Sequence, residues 1–201
     1  MDRNFKPFRH FNVQDAHSSP KALEDRELLL KIRHPETRNY GFNMLVREYQ
    51  KRVYWHIRKM VIDHDDADDI TQDTFVKIHK YIDNFREDAQ LYTWIYRIAT
   101  NECLTFLKKK KRRFFLPIGD VEGELTAKLD SSPHLSGDEI QLKLQKALLR
   151  LPDKQRLVFN MKYYDDMSYE QIAEITQTSV GALKASYHHA VKKIEDILSA
   201  D

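Results

Sequence analysis

Three groups of side chains in this sequence have types and spacings that could do chemistry. Residues 63–73, DHDDADDITQD, hold six Asp and neither Lys nor Arg. Residues 108–113, KKKKRR, set six positive charges in a row, behind a segment with Tyr92, Trp94, Tyr96, Arg97, Asn101 and Phe106. Near the C-terminus, Ser179, Lys184, Ser186, His188, His189 and Lys192 recur over fourteen residues. Clustered carboxylates can hold a divalent cation or face a basic partner. Cations beside aromatics suit nucleic acid, because they neutralise phosphates while ring faces stack on unpaired bases. Amines and imidazoles on one helix face can reach phosphates and base edges in a major groove.

Several other chemistries fail on spacing. A calcium loop of the D-x-D-x-D-G type would need a ligand at Ala67 and a glycine after it, and neither is present. His188 and His189 are adjacent, so on a helix they point apart and do not converge on a metal. The five glycines, at 41, 119, 123, 137 and 181, permit neither a G-x-G-x-x-G turn nor a phosphate loop. The single Cys103 sits in a helical pattern without a His or Asp partner and reads as a buried, inert thiol. Nothing resembles a nucleophile–base arrangement or a carboxylate pair. The expectation is a protein that is not an enzyme and needs no cofactor.

These groups need helices to position them. Glycine and proline are both absent from Phe42 to Leu116, and again from Asp153 to Val180. Both disfavour helix interiors, so long helices are expected. Leu45, Tyr49, Val53, His56 and Met60 recur at three and four, as do Ile70, Phe75, Ile78 and Ile82 with one wider step. Leu91, Ile95, Ile98, Glu102 and Phe106 form a third stripe with one polar interruption, and Ile140, Leu144, Ala147 and Leu151 a fourth. Ser168 with Gln171 fits a capping box that opens a helix. Thr176, Gln177 and Thr178 make a short polar turn, after which Ser179 can cap a second helix with the stripe Val180, Leu183, Tyr187, Val191 and Ile194. This is a helix-turn-helix pattern.

The fold class is therefore all-α: two small helical domains, 22–114 and 138–199, joined by a flexible linker, 115–137, after an N-terminal tail, 1–21. The linker is rich in Gly, Pro and Ser, and is acidic. No apolar run is long enough to span a membrane and no signal peptide is legible, so a cytoplasmic location is expected. The net charge of +2 conceals the segregated acidic and basic runs. Weak binding to DNA by the free chain is expected from this near-neutral total.

The string DADDITQDTFVKIHKYIDNFREDAQLYTWIYRIATNECLTFLKKKKRR resembles the second conserved region of bacterial RNA polymerase sigma factors of the extracytoplasmic-function (ECF) group. The string LQKALLRLPDKQRLVFNMKYYDDMSYEQIAEITQTSVGALKASYHHAVKKI resembles their fourth conserved region. The resemblance covers residues 22–198, with two motifs in the expected order. It implies a region 2-like bundle and a region 4-like helix-turn-helix domain, acting in promoter recognition, DNA melting and transcription initiation.

On this sequence the resemblance implies that Asp66, Asp68, Asp69, Gln72 and Phe75 dock on the β′ clamp helices of core RNA polymerase. Phe85, Arg86, Tyr92, Trp94, Arg97 and Asn101 would open and read the −10 element, with Lys108 and Lys109 on the DNA backbone. Ser179, Lys184, Ser186, His188, His189 and Lys192 would read the −35 element. The polymerase β flap is a further implied contact, and the acidic linker would thread toward the RNA exit path. Many members of the group are held inactive by an anti-sigma factor, which adds a candidate partner. One departure stands out. Family members often carry arginines along the recognition helix, whereas LKASYHHA has none, which puts the −35 sequence in doubt. From the residues alone, a stand-alone DNA-binding regulator and an interaction protein that has lost DNA binding remain open.

Overall fold

The computed structural model describes residues 20–113 and 139–200. The expected linker and all but the end of the expected tail lie outside the described residues. The first helix, α1, already begins at Pro20, inside the expected tail, and runs to Arg33; α2 spans Arg38–Val61, α3 His64–Tyr81 and α4 Leu91–Arg113. After the gap come α5 Glu139–Leu149, α6 Asp153–Tyr163, α7 Tyr169–Thr176 and α8 Val180–Ala200. Every regular element among the described residues is a helix, as the periodicity requires.

The stripe on α2 is the spine of the first bundle. Leu45, Tyr49, Val53, Ile57 and Met60 are all fully buried, each contributing about 1.5–3 kcal/mol. Helix α1 lies close against α2 because Gly41 has no side chain. A Cβ there would sit 2.9 Å from the backbone nitrogen of Ile32. Asp25 of α1 accepts a hydrogen bond from Tyr49 Oη at 3.1 Å. Helix α3 buries Ile70, Phe75 and Ile78, and α4 buries Leu91, Ile95, Ala99, Cys103 and Leu107. Burial pushes the Cys103 thiol up to about 12, which keeps it protonated and unreactive.

The breaks in the long stretch without Gly or Pro come from residues not usual at breaks. Ile62 ends α2 with φ 67°, a conformation that costs a β-branched residue energy. Asp63 follows and caps α3, its Oδ1 accepting from the backbone N–H of Asp66 at 2.9 Å. A 3₁₀ turn, Ile82–Asn84, and Glu87 with φ 59° separate α3 from α4.

In the C-terminal domain the capping box is complete. Ser168 Oγ accepts from Gln171 N at 3.1 Å, and Gln171 Oε1 accepts from Ser168 N at 2.8 Å. Gln177 supplies the left-handed turn at φ 55°. Ala147, Leu148, Leu151, Phe159, Ala190 and Ile194 form that domain's own core. Ile140 is a correction: it opens the expected stripe yet is 79% exposed. It lies in the first turn of α5.

The two domains are packed together. Leu157, Val158, Met161, Met167, Ile172 and Ile175 belong to the same buried cluster as Leu45, Ile57 and Ile95. Helix α7 lies on α4, and α6 on α2.

Candidate nucleic-acid interface

The acidic segment builds one wall of an open groove of about 590 Å³ between α2 and α3, lined by Phe42, Val46, Asp68, Gln72, Phe75 and Val76 among others. Four of these are apolar. Phe75 is buried in its floor, while Val76 is 63% exposed. Asp68 and Gln72, one helical turn apart, are exposed on this wall, and Asp69 is exposed next to Asp68. Asp66 is not brought to this wall. It faces α4, where Lys110 Nζ donates to its Oδ2 at 3.0 Å. Phe42 and Val46 complete the groove. Their short apolar period on α2 is legible in sequence, but their facing α3 is a tertiary fact.

The loop between α3 and α4 is pinned by two arginines that the sequence reading did not single out. Arg38 makes a forked contact with Asp83 at 2.8 and 2.9 Å, and that hydrogen-bonded guanidinium holds the Asp83 carboxyl below the usual carboxylate range. Arg33 donates to the Phe85 carbonyl at 3.0 Å and to Glu87 at 2.6 Å. Phe85 is buried, and its ring centroid lies 5.3 Å from that of Trp94. Arg86 is exposed.

On α4, Asn101, Lys108 and Lys109 are exposed, Trp94 and Arg97 are half-buried, and Tyr92 is buried. The Tyr92 and Tyr96 rings pack tilted at 45°, with centroids 4.4 Å apart. Tyr92 is therefore a packing residue in this arrangement, unavailable for stacking on a base. Arg97 is held by the other domain: its Nη2 donates to the Glu174 carbonyl at 2.7 Å. The basic run divides as well. Lys110 faces Asp66, and Lys111 reaches Asp153 at 2.7 Å.

Between the domains lies a buried ionic cluster. Asp165 Oδ2 is 3.3 Å from His56 Nδ1, and Lys59 donates to Asp165 Oδ1. His56 Nε2 is 3.0 Å from Thr100 Oγ1. Burial alone would raise the Asp165 carboxyl. The hydrogen bond with His56 and the charge of Lys59 outweigh it and hold the group below the usual range.

The recognition face of α8 stays open. Lys184, His188, His189 and Lys192 are exposed, while Ser186 is half-buried beside Tyr187. Ser179 caps the helix, its Oγ accepting from Ala182 N at 3.3 Å. Lys162 and Lys184 flank the Tyr169 ring, with Nζ atoms 5.4 and 5.8 Å from its centroid.

This geometry coincides with known families. Residues 45–113 match the Sigma-70 region 2 family, and residues 141–194 match Sigma-70, region 4. The chain is 30% identical over 185 residues to the RNA polymerase sigma-H factor of Pseudomonas aeruginosa, covering 87% of this chain and 94% of that one. It is 31% identical over 156 residues to the ECF RNA polymerase sigma factor SigW of Bacillus subtilis, covering 74% and 83%. The chain belongs to the ECF sigma factors. By this relationship it is a promoter-recognition factor of transcription initiation, and its relatives are initiation factors rather than enzymes.

Among solved structures, this sigma factor is similar in fold to CnrH, solved with the cytosolic domain of CnrY, at TM-score 0.63 and 23% identity over 88% of this chain and 98% of that one. It is similar to the sigma factor RpoE of Bartonella quintana, solved with the anti-sigma factor NepR, at TM-score 0.61 and 23% identity over 80% and 98%. Among the described residues of this sigma factor, no helix is long and apolar enough to cross a membrane.

Proposed function

We propose that the region 2 domain, 22–114, docks core RNA polymerase through the α2–α3 groove, with Asp68, Asp69 and Gln72 on its rim and Phe75 in its floor. Asp66 serves instead as the partner that orients Lys110. The loop held by Arg33 and Arg38, together with Trp94, Arg97 and Asn101, reads the −10 element, and Lys108 and Lys109 track the backbone. The region 4 domain, 138–199, presents Lys184, His188, His189 and Lys192 to the −35 major groove and meets the β flap. Residues 115–137 connect the two. The protein acts where polymerase acts, in the bacterial cytoplasm on the nucleoid, and an anti-sigma factor is a candidate regulator.

The observation that carries this reading is the division of labour along one chain. An acidic, apolar-floored groove, a basic helix and a solvent-facing recognition helix occupy three separate surfaces. Asp69 and Gln72 are both exposed, so changing both to alanine tests the first surface without disturbing the core. The double variant keeps its helical content and loses tenfold or more in affinity for core polymerase, about 1.4 kcal/mol. Unchanged affinity overturns the assignment of the groove.

A further inference from the structure

The loop between α3 and α4, which would have to approach DNA, is acidic. Residues 83–88 read DNFRED, three carboxylates against Arg86 alone. By itself such a loop is two charges negative and repels a phosphate backbone. The corner between α1 and α2 supplies the missing cations. Arg38 forks onto both oxygens of Asp83, at 2.8 and 2.9 Å. Arg33 reaches the Glu87 carboxylate at 2.6 Å and the Phe85 carbonyl at 3.0 Å. The two guanidiniums cancel the surplus negative charge.

The same contacts fix the shape of the loop. Arg33 holds the residue before Arg86 and the residue after it. Phe85 is extended, with φ −71° and ψ 114°, and its ring is buried beside Trp94. Extended backbone turns the next side chain away from that ring. Glu87 takes φ 59°, a left-handed conformation uncommon for a residue with a side chain. Arg86 is left exposed between two held neighbours. A forked guanidinium–carboxylate pair sets direction as well as charge. The corner is itself tied down. Thr37 Oγ1 donates to the Lys31 carbonyl at 2.8 Å, Arg38 Nη1 to the Ile32 carbonyl at 3.4 Å, and Gly41 packs on the Ile32 backbone.

We infer that Arg33 and Arg38 are positioning residues for −10 selectivity, which neutralise the loop and aim Arg86 without touching DNA themselves. The inference rests on the −10 reading of this loop given above.

The test uses the reconstituted holoenzyme, with promoter selection from a randomised −10 library and affinity for one selected promoter. Arg86→Ala should lower that affinity about fivefold or more, the scale of a lost arginine base contact. Arg33→Ala and Arg38→Ala should each lower it about threefold or more through the uncovered carboxylate. Both should flatten base preference at −10 and leave preference at −35 unchanged. Adding Asp83→Ala to Arg38→Ala should recover the affinity, because the uncovered charge is gone, but not the preference, because the fork is gone. Arg38→Lys keeps the charge and loses the fork, so it should keep affinity and blur preference. Affinity that Asp83→Ala does not recover makes Arg38 a direct phosphate contact and overturns the inference. Weakened binding to core polymerase in either arginine variant places the corner in that interface and overturns it too. Arg86→Ala without effect overturns the −10 reading of the loop, and this inference with it. An effect of Arg86→Ala with none from Arg33→Ala and Arg38→Ala overturns this inference alone.

Discussion

Arg97 Nη2 donates to the main-chain oxygen of Glu174 across 2.7 Å, tying α4, proposed above to read the −10 element, to the first helix of the helix-turn-helix. Contact of that guanidinium with a DNA strand would have to share it with this carbonyl or release it. Tyr92 is buried as well, so the proposed −10 surface is closed in this arrangement, while the proposed −35 helix faces solvent. The proposed use of Arg97 on DNA therefore competes with the contact between the domains.

Asp165 is the place to test opening, because it holds His56 and Lys59 across the same boundary without belonging to the DNA surface. Asp165→Asn removes the charge but keeps the shape. It should cost about 2 kcal/mol, the scale of a charge-assisted hydrogen bond. Because Cys103 is the sole cysteine and is buried, spin labels on cysteines introduced at Asn39 and Glu195 report the domain separation. The label distance should broaden in the variant. Its affinity for a single-stranded −10 oligonucleotide should rise at least about threefold, as the competent fraction grows.

Acid should do the same by another route. The Asp165 carboxyl is held below its ordinary value, so its contribution is complete above about pH 4 and is lost as pH falls through the depressed value. Asp83, bound to Arg38, shifts in the same direction. The label distance should stay constant between pH 6 and 8 and widen only below about pH 4. Asp165→Asn should lack this dependence. Opening at neutral pH in the unaltered chain would contradict the clasp.

On α8, Lys192 faces solvent and is proposed as a phosphate contact. Lys192→Ala in the polymerase holoenzyme should weaken binding across promoters and lower the salt slope by about 1. His189→Arg introduces the side chain that pairs bidentately with guanine. Promoter selection with that variant should favour guanine at one −35 position by about 1–3 kcal/mol. A change in affinity with no change in base preference would move His189 off the base-reading face.

Gly41 and Gly181 should respond to alanine with opposite signs. A Cβ at 41 meets the Ile32 backbone, whereas nothing lies within 4 Å of one at 181. Gly41→Ala should lose about 1–3 kcal/mol by overpacking. Gly181→Ala should gain about 0.4–1 kcal/mol through helix propensity and a less flexible unfolded chain. Urea midpoints at constant m measure both.

Local rules made much of this legible. The stripes on α2 and α8, the Ser168–Gln171 box and the Gln177 turn all depend on neighbours within four residues. Ile140, apolar and in register yet 79% exposed, shows the limit of periodicity, which marks a face without saying what covers it. Asp66 and Lys110 show another, because 44 residues separate a charge from the group that engages it. The breaks at Ile62 and Glu87 use residues with no turn preference, so they are imposed by packing. Arg97 meeting Glu174, and Asp165 between His56 and Lys59, depend on how two domains meet, which neither domain's own pattern encodes.

The central claim is that this chain directs core polymerase to open promoters. Its most direct test is run-off transcription of genomic fragments by the reconstituted holoenzyme, with permanganate mapping of unpaired thymines. The account predicts discrete new start sites with reactive thymines at −10, both lost in Arg97→Ala combined with Asn101→Ala. Tight polymerase binding without new starts or reactive thymines would contradict it.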